Sequence, residues 1–197
     1  MSSGPSRSRP DAVSTAIDAA ATGVIAAVGA LGATNPVILI DGRSGAGKSS
    51  LARRLVARWP MTGRVQLVAL DSLYPGWDGL DAGVEAARDL ILRPHARGLI
   101  GVWQRWDWDS GAPAEAHAVD PSLPLIVEGS GLLTSVNAKL GDVRVWLESP
   151  QPSRRRRALD RDGATFEPHW ERWAGQEEAH IERDAPHRLA SLVYDVP

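Results

Sequence analysis

The stretch Ile38-Leu39-Ile40-Asp41-Gly42-Arg43-Ser44-Gly45-Ala46-Gly47-Lys48-Ser49-Ser50 decides how the rest of the chain is read. It runs an apolar, strand-like segment directly into a complete G-x-x-x-x-G-K-[ST] loop, and the residues behind it, Leu51 to Trp59, have helical composition. Gly42, Gly45 and Gly47 let the backbone curl closely, so the N–H groups of Gly42, Arg43, Ser44, Gly45, Ala46 and Gly47 can point inward at an anion. Lys48 can reach the β and γ phosphates of a nucleotide, and the Ser49 hydroxyl can ligate Mg²⁺. Ser50 sits in the first turn of the following helix, whose positive end faces the phosphates as well. The expectation is a nucleoside triphosphate cradled by residues 42–50.

Around this loop lies a chain of 197 residues with 43% apolar and 23% charged residues, ordinary values for one well-buried domain. A formal charge of −2 supplies no general attraction to nucleic acid or to an anionic membrane, and neither is expected as a partner. With no cysteine, disulfides, thiolate metal sites and thiol nucleophiles are excluded. Residues 1–10 contain too little apolar surface to become ordered and are expected to form a disordered tail. From 11 to 32, Val13, Ile17, Ala20, Ala21, Val24, Val28 and Leu31 recur at helical spacing behind Asp11 as a cap, which predicts an amphipathic helix docked on the core. Asp11 and Asp18 interrupt what would otherwise resemble an export signal, so a cytoplasmic location is expected.

Apolar runs at Val37–Ile40, Val65–Leu70, Leu125–Val127, Val143–Leu147 and Leu192–Tyr194 alternate with helix-compatible sequence. Such alternation predicts an α/β domain spanning 11–197, with a mainly parallel five-stranded sheet and helices on both faces. Ligands bind such sheets beyond the carboxyl ends of the strands, so the residues just after each run are where a site should be sought.

After the second run stands Asp71-Ser72-Leu73-Tyr74. With a phosphate loop upstream, Asp71 suits a catalytic base that takes the proton of an attacking hydroxyl, although Asp and Ser also cap turns. After the third run, Glu128-Gly129 offers a carboxylate placed to hold Mg²⁺ together with Ser49, the alternative being an exposed strand-end acid. After the fourth run, Arg154-Arg155-Arg156-Arg157 opens a helix. Arg154 and Arg157 share a face, and a lid around 153–165 carrying them could close over a transferring phosphoryl group; a solvated helix face or a nucleic-acid patch are the alternatives. The segment Arg105-Trp106-Asp107-Trp108 combines rigid rings with charges, which suits either an acceptor-binding pocket or a Trp-rich core corner, with Trp106 and Trp108 on one strand face.

In this order the motifs resemble the uridine-cytidine kinase and phosphoribulokinase-like group of P-loop kinases, over about Val37 to Val196. Leu70-Asp71-Ser72-Leu73-Tyr74 resembles that group's D-[SD]-F-Y, Val127-Glu128-Gly129 its V-[FIV]-E-G, and Arg105-Trp106-Asp107-Trp108 lies where the group has a nucleoside-contacting Y-D-F. The resemblance implies a P-loop NTPase-type three-layer fold and a kinase using ATP and Mg²⁺. It further implies Asp71 as base, Lys48, Arg154 and Arg157 at the transferring group, and Tyr74, Arg105, Trp106, Asp107 and Trp108 about a small-molecule acceptor, most simply a nucleoside. Leu73 in place of Phe, Asp109-Ser110-Gly111 where the group has a histidine, and an unfamiliar stretch from Tyr74 to Gly101 all lie on the acceptor side. A sugar, vitamin precursor or antibiotic acceptor therefore stays open, as do a slow ATP-hydrolysing regulatory module and a homo-oligomer.

Overall fold

All six residues of strand β1 (Val37–Gly42) are buried, which is what a strand needs when both its faces are covered. Ile38 and Ile40 face one layer of the core and Val37 and Leu39 the other, following the two-residue repeat of a strand. Each such fully buried aliphatic side chain stabilises the fold by about 1.5–3 kcal/mol. The computed structural model describes residues 12–197, so the expected tail and the Asp11 cap lie outside the described residues.

Five parallel strands form the sheet: β1, β2 (Gln66–Ala69), β5 (Leu125–Glu128), β6 (Val143–Glu148) and β7 (Leu192–Asp195), in the order β2-β5-β1-β6-β7. These are the five runs expected from the sequence, and the parallel three-layer architecture follows the expectation. In register, Ala69 pairs with Glu128 and Glu148 with Asp195, so the strands end together on one rim.

Helices α1 (Ala12–Leu31) and α2 (Lys48–Ala57) cover the face that carries Ile38, Ile40, Val145 and Leu147. Helix α1 is long and apolar enough by composition to cross a membrane, yet Ile17, Ala20, Ala21, Val24 and Val28 are buried against the sheet. It approaches β7 so closely that a methyl group at Gly23 would lie 2.1 Å from the Tyr194 hydroxyl oxygen. On the other face lie α3 (Leu80–Ala87), a wide π-helical turn at Arg88–Leu92, and α4 (Arg93–Ala96). The widening has a local cause: Pro94 has no N–H to donate and its ring needs room, and the Arg93 N–H reaches back to the Arg88 carbonyl. Helices α5 (Gln151–Phe166) and α6 (Trp170–Asp184) cross the carboxyl rim, and α7 (Pro186–Leu189) leads into β7.

One element departs from the sequence expectation. A separate antiparallel hairpin, β3 (Gly101–Asp107) with β4 (Ala112–Val119), stands beside the sheet. Its register shifts between Gln104 and Trp106, and β3 ends at Asp107. Trp108 therefore lies in the turn and does not share a strand face with Trp106. Asp107 causes this ending: its carboxylate accepts from the Asp109 N–H and the Ser110 hydroxyl, while its carbonyl accepts from Gly111, where φ is 63°.

Candidate active site

The phosphate loop is held from outside. Its three glycines all have positive φ, and a methyl group on each would collide with a neighbour: Gly42 with the Leu147 carbonyl oxygen at 2.6 Å, Gly45 with that of Arg154 at 2.2 Å, Gly47 with the Ile17 side chain at 2.8 Å. The expectation that all of residues 42–50 face a ligand narrows accordingly. Three N–H groups go to acceptors of the protein, Gly42 to the Asp41 carboxylate, Ser44 to Glu177 and Ala46 to the Arg43 carbonyl. The Arg43 side chain turns outward to pair with Glu178. What faces the cleft is Ser44, Gly45, Gly47, Lys48, Ser49 and Ser50. Here α2 begins on Gly47 with no side-chain cap, so the first-turn N–H groups are open to an anion.

That cleft measures about 850 Å³. The Lys48 ammonium, almost wholly buried, donates to the carbonyls of Gly42 at 2.7 Å and Arg43 at 3.3 Å and to the Ser130 hydroxyl at 3.0 Å. Glu128, at the end of β5, is buried and hydrogen-bonded to the Ser49 side chain. Burial and the nearby Asp71 carboxylate push its pKa up, against the pull of Lys48, Ser49 and Arg161. An oxygen pair of hydroxyl and carboxylate beside an open helix N-terminus suits Mg²⁺, which takes one or two protein oxygens and completes its shell with phosphates and water. The donor set thus fits the ion expected there.

Asp71 is exposed in a 3-10 turn (Leu70–Ser72) directly after β2 and shares the cleft with Glu128. Its carbonyl accepts from the Trp108 indole N–H at 2.8 Å. Trp108 tilts against Trp77, with ring centres 4.8 Å apart, and Trp77 stacks nearly parallel to Phe166 and His169. Tyr74 packs edge-on to Trp173 and donates its hydroxyl to the Ser130 carbonyl, and burial raises its pKa well above the usual phenol value. With Trp106, the rings of Tyr74, Trp77, Trp108, Phe166 and Trp173 line the same cleft as the phosphate loop. Arg105 lines it too, but its guanidinium grips Glu115 through two hydrogen bonds of 2.7 and 3.1 Å. Asp107 is spent on its turn and lies outside the lining.

The arginine helix divides. Arg154, in the first turns of α5, is buried, donating to the carbonyls of Ser149 and Ser44 and lying over the Trp170 ring at 5.9 Å. It braces α5 against the loop and does not line the cleft. Arg157 does line it, with its Nε–H on the Gly45 carbonyl at 2.7 Å, and so does Arg161, one helical turn further on. The sequence reading stopped at the four consecutive arginines and so missed Arg161, although the same i, i+4 spacing extends to it. It also missed Arg53, Trp77 and Ser130, which carry no motif. His180, on α6, is buried with one ring nitrogen 3.2 Å from Asp41 and the other 3.0 Å from Asp184. Burial opposes its charge, but the two carboxylates outweigh burial and raise its pKa.

A parallel sheet in this order, with a phosphate loop after β1, an acid after each neighbouring strand and a basic helix crossing the rim, is the three-layer fold of the P-loop kinases. Among solved structures, one described as a "Possible Uridine Kinase" from Bacillus stearothermophilus superposes with a TM-score of 0.68 at 19% identity, covering 92% of this chain and 98% of that one. A "putative fructose transport system kinase" from Silicibacter sp. TM1040 gives 0.57 at 18% identity, with coverage of 90% and 98%. No family model matches the sequence, and no curated protein does.

Proposed function

We propose that this chain is an ATP- and Mg²⁺-dependent cytoplasmic kinase that transfers the γ-phosphate to a hydroxyl of a small molecule, most simply a nucleoside. One observation carries the reading: a single cleft joins the phosphate loop and its Lys48, the Ser49–Glu128 pair, the Asp71 carboxylate and an aromatic wall. Ser44 to Ser50 would seat the triphosphate, and Ser49 and Glu128 would hold Mg²⁺, which when bound neutralises charge on the phosphates. Asp71 orients the acceptor hydroxyl and takes its proton as the acceptor oxygen bonds to the γ-phosphorus and the bond to the departing ADP breaks. Lys48, Arg157 and Arg161 stabilise the charge spread over the transferring group, and most of the acceleration comes from this positioning and electrostatics. The rings of Trp77, Trp106 and Trp108, which line the cleft, suit a flat base or the apolar face of a sugar.

An ADP-release screen with Mg-ATP across nucleosides, sugars and vitamin precursors, confirmed by product mass, tests this reading. Acceptor-dependent ADP release with a phosphorylated product is the expected result; ATP loss that no alcohol accelerates would favour a regulatory module. With the acceptor in hand, Asp71→Asn is expected to keep ATP affinity while kcat falls by about 10²–10⁴-fold, the usual worth of a positioned base. Lys48→Ala is expected to abolish both productive binding and turnover. A near-normal rate in Asp71→Asn removes that residue from the role of base.

A further inference from the structure

Glu177 is a buried carboxylate that the proposed chemistry leaves unused, yet it touches the phosphate loop at Ser44 and reaches the loop lysine through Ser130. Its Oε1 accepts the Ser44 N–H at 2.7 Å and the Ser130 hydroxyl at 2.9 Å, and that same hydroxyl accepts from the Lys48 ammonium at 3.0 Å. A third donor to Oε1 is the indole N–H of Trp173 at 3.1 Å, four residues earlier on α6. The Arg154 guanidinium lies 4.0 Å from Oε2. A negative charge is thus tied to a loop amide directly and to the loop lysine through one hydroxyl, at the edge of the surface expected to receive a polyphosphate.

We propose that Glu177 is a positioning residue that acts as the resident counter-ion of the phosphate loop and sets its affinity for nucleotide, with Trp173 tuning its charge from the acceptor wall. In a medium of low effective dielectric, a fixed carboxylate close to the loop opposes the arrival of an anion and offsets Lys48. Its three hydrogen-bond donors spread that charge and reduce the opposition. Trp173 also faces the cleft. A group that packs against its ring and disturbs the indole N–H therefore alters the electrostatics of the loop through one shared oxygen. The proposal rests on the nucleotide-binding reading above.

Two variants move nucleotide affinity in opposite directions if this is correct. Glu177→Gln keeps a side-chain oxygen for Ser44, Ser130 and Trp173 but removes the charge. Trp173→Phe keeps a ring in the wall but withdraws one donor from the carboxylate. Titration with Mg-ADP and with a non-hydrolysable ATP analogue, in the absence of any acceptor, is expected to show roughly five- to tenfold tighter binding for Glu177→Gln, the order of one partly screened charge, and a several-fold loss for Trp173→Phe. A merely structural role predicts loss in both, alongside a lowered melting temperature. Unchanged or weaker binding by a folded Glu177→Gln overturns the proposal; if that variant does not fold, unchanged or tighter binding by Trp173→Phe overturns it. Wild-type protein that binds neither nucleotide overturns the kinase reading instead.

Discussion

A methyl group added at Gly45 would lie 2.2 Å from the Arg154 carbonyl oxygen, in a backbone where φ is 78°. Gly45→Ala therefore meets both a rigid collision and a strained conformation, and is expected to cost about 2–4 kcal/mol, read from the urea midpoint. His180 makes a different demand. Because its folded pKa is raised, its contribution to stability is complete below about pH 6.5 and is lost as pH rises through the higher folded value. Glu128 has the same sign lower on the scale, losing its contribution as pH climbs from about 4.3 through its own raised value. The melting temperature is expected to fall as pH rises past about 6.5, and His180→Asn should flatten that part of the profile while Glu128→Gln leaves it. Lys48, Ser49, Asp71 and Glu128 were legible because each follows a strand at fixed motif spacing. Glu177 and His180 were not, because each acts across more than 130 residues of sequence and neither falls within a motif.

Helix α5 shows the limit of reading periodicity along one run. Its phosphate-side face continues past the four arginines to Arg161, and it then breaks at Gly163, where φ is 55° and ψ is −136°, a conformation open essentially to glycine alone. Nothing lies within 4 Å of a methyl group built there, so Gly163→Ala acts through the backbone and not through collision. The substituted helix is expected to straighten and carry Phe166 away from Trp77, against which it now stacks at 5.4 Å. A shift in tryptophan fluorescence and a lower kcat, with little change in stability, would report that movement. The central strands β5, β1 and β6 were legible because burial on both faces produces nearly unbroken apolar runs, and the half-exposed edge strands β2 and β7 because Leu67-Val68 and Leu192-Val193-Tyr194 still carry branched and aromatic residues. The hairpin β3–β4 was hidden because β4 reads Ala-Pro-Ala-Glu-Ala-His-Ala-Val, poor in the branched and aromatic residues that mark strands, with only Val119 fully buried.

Two apolar cores, one on each face, underlie a rim where loop, arginine helix and aromatic wall come from segments as distant as Ser44 and Trp173. A nucleotide that bridges those segments only in the folded chain must stabilise the fold: at a hundred times its Kd, Mg-ADP contributes about 2.7 kcal/mol. At roughly 2–4 °C per kcal/mol for a chain of this size, the melting temperature is expected to rise by about 5–10 °C in thermal shift. The close seating of α1 on β7 bears on the chain while it is being made. Helix α1 packs on α2 and β6 as well as on β7, but the tyrosine beside its Gly23 is residue 194, so the last part of the surface that hides this apolar helix is made 171 positions after Gly23. Until then the nascent polypeptide carries an apolar helix whose cover is incomplete. A chain stopped after Ala190 should stay in that condition, accumulating with chaperones or in the membrane fraction while the longer chain does not.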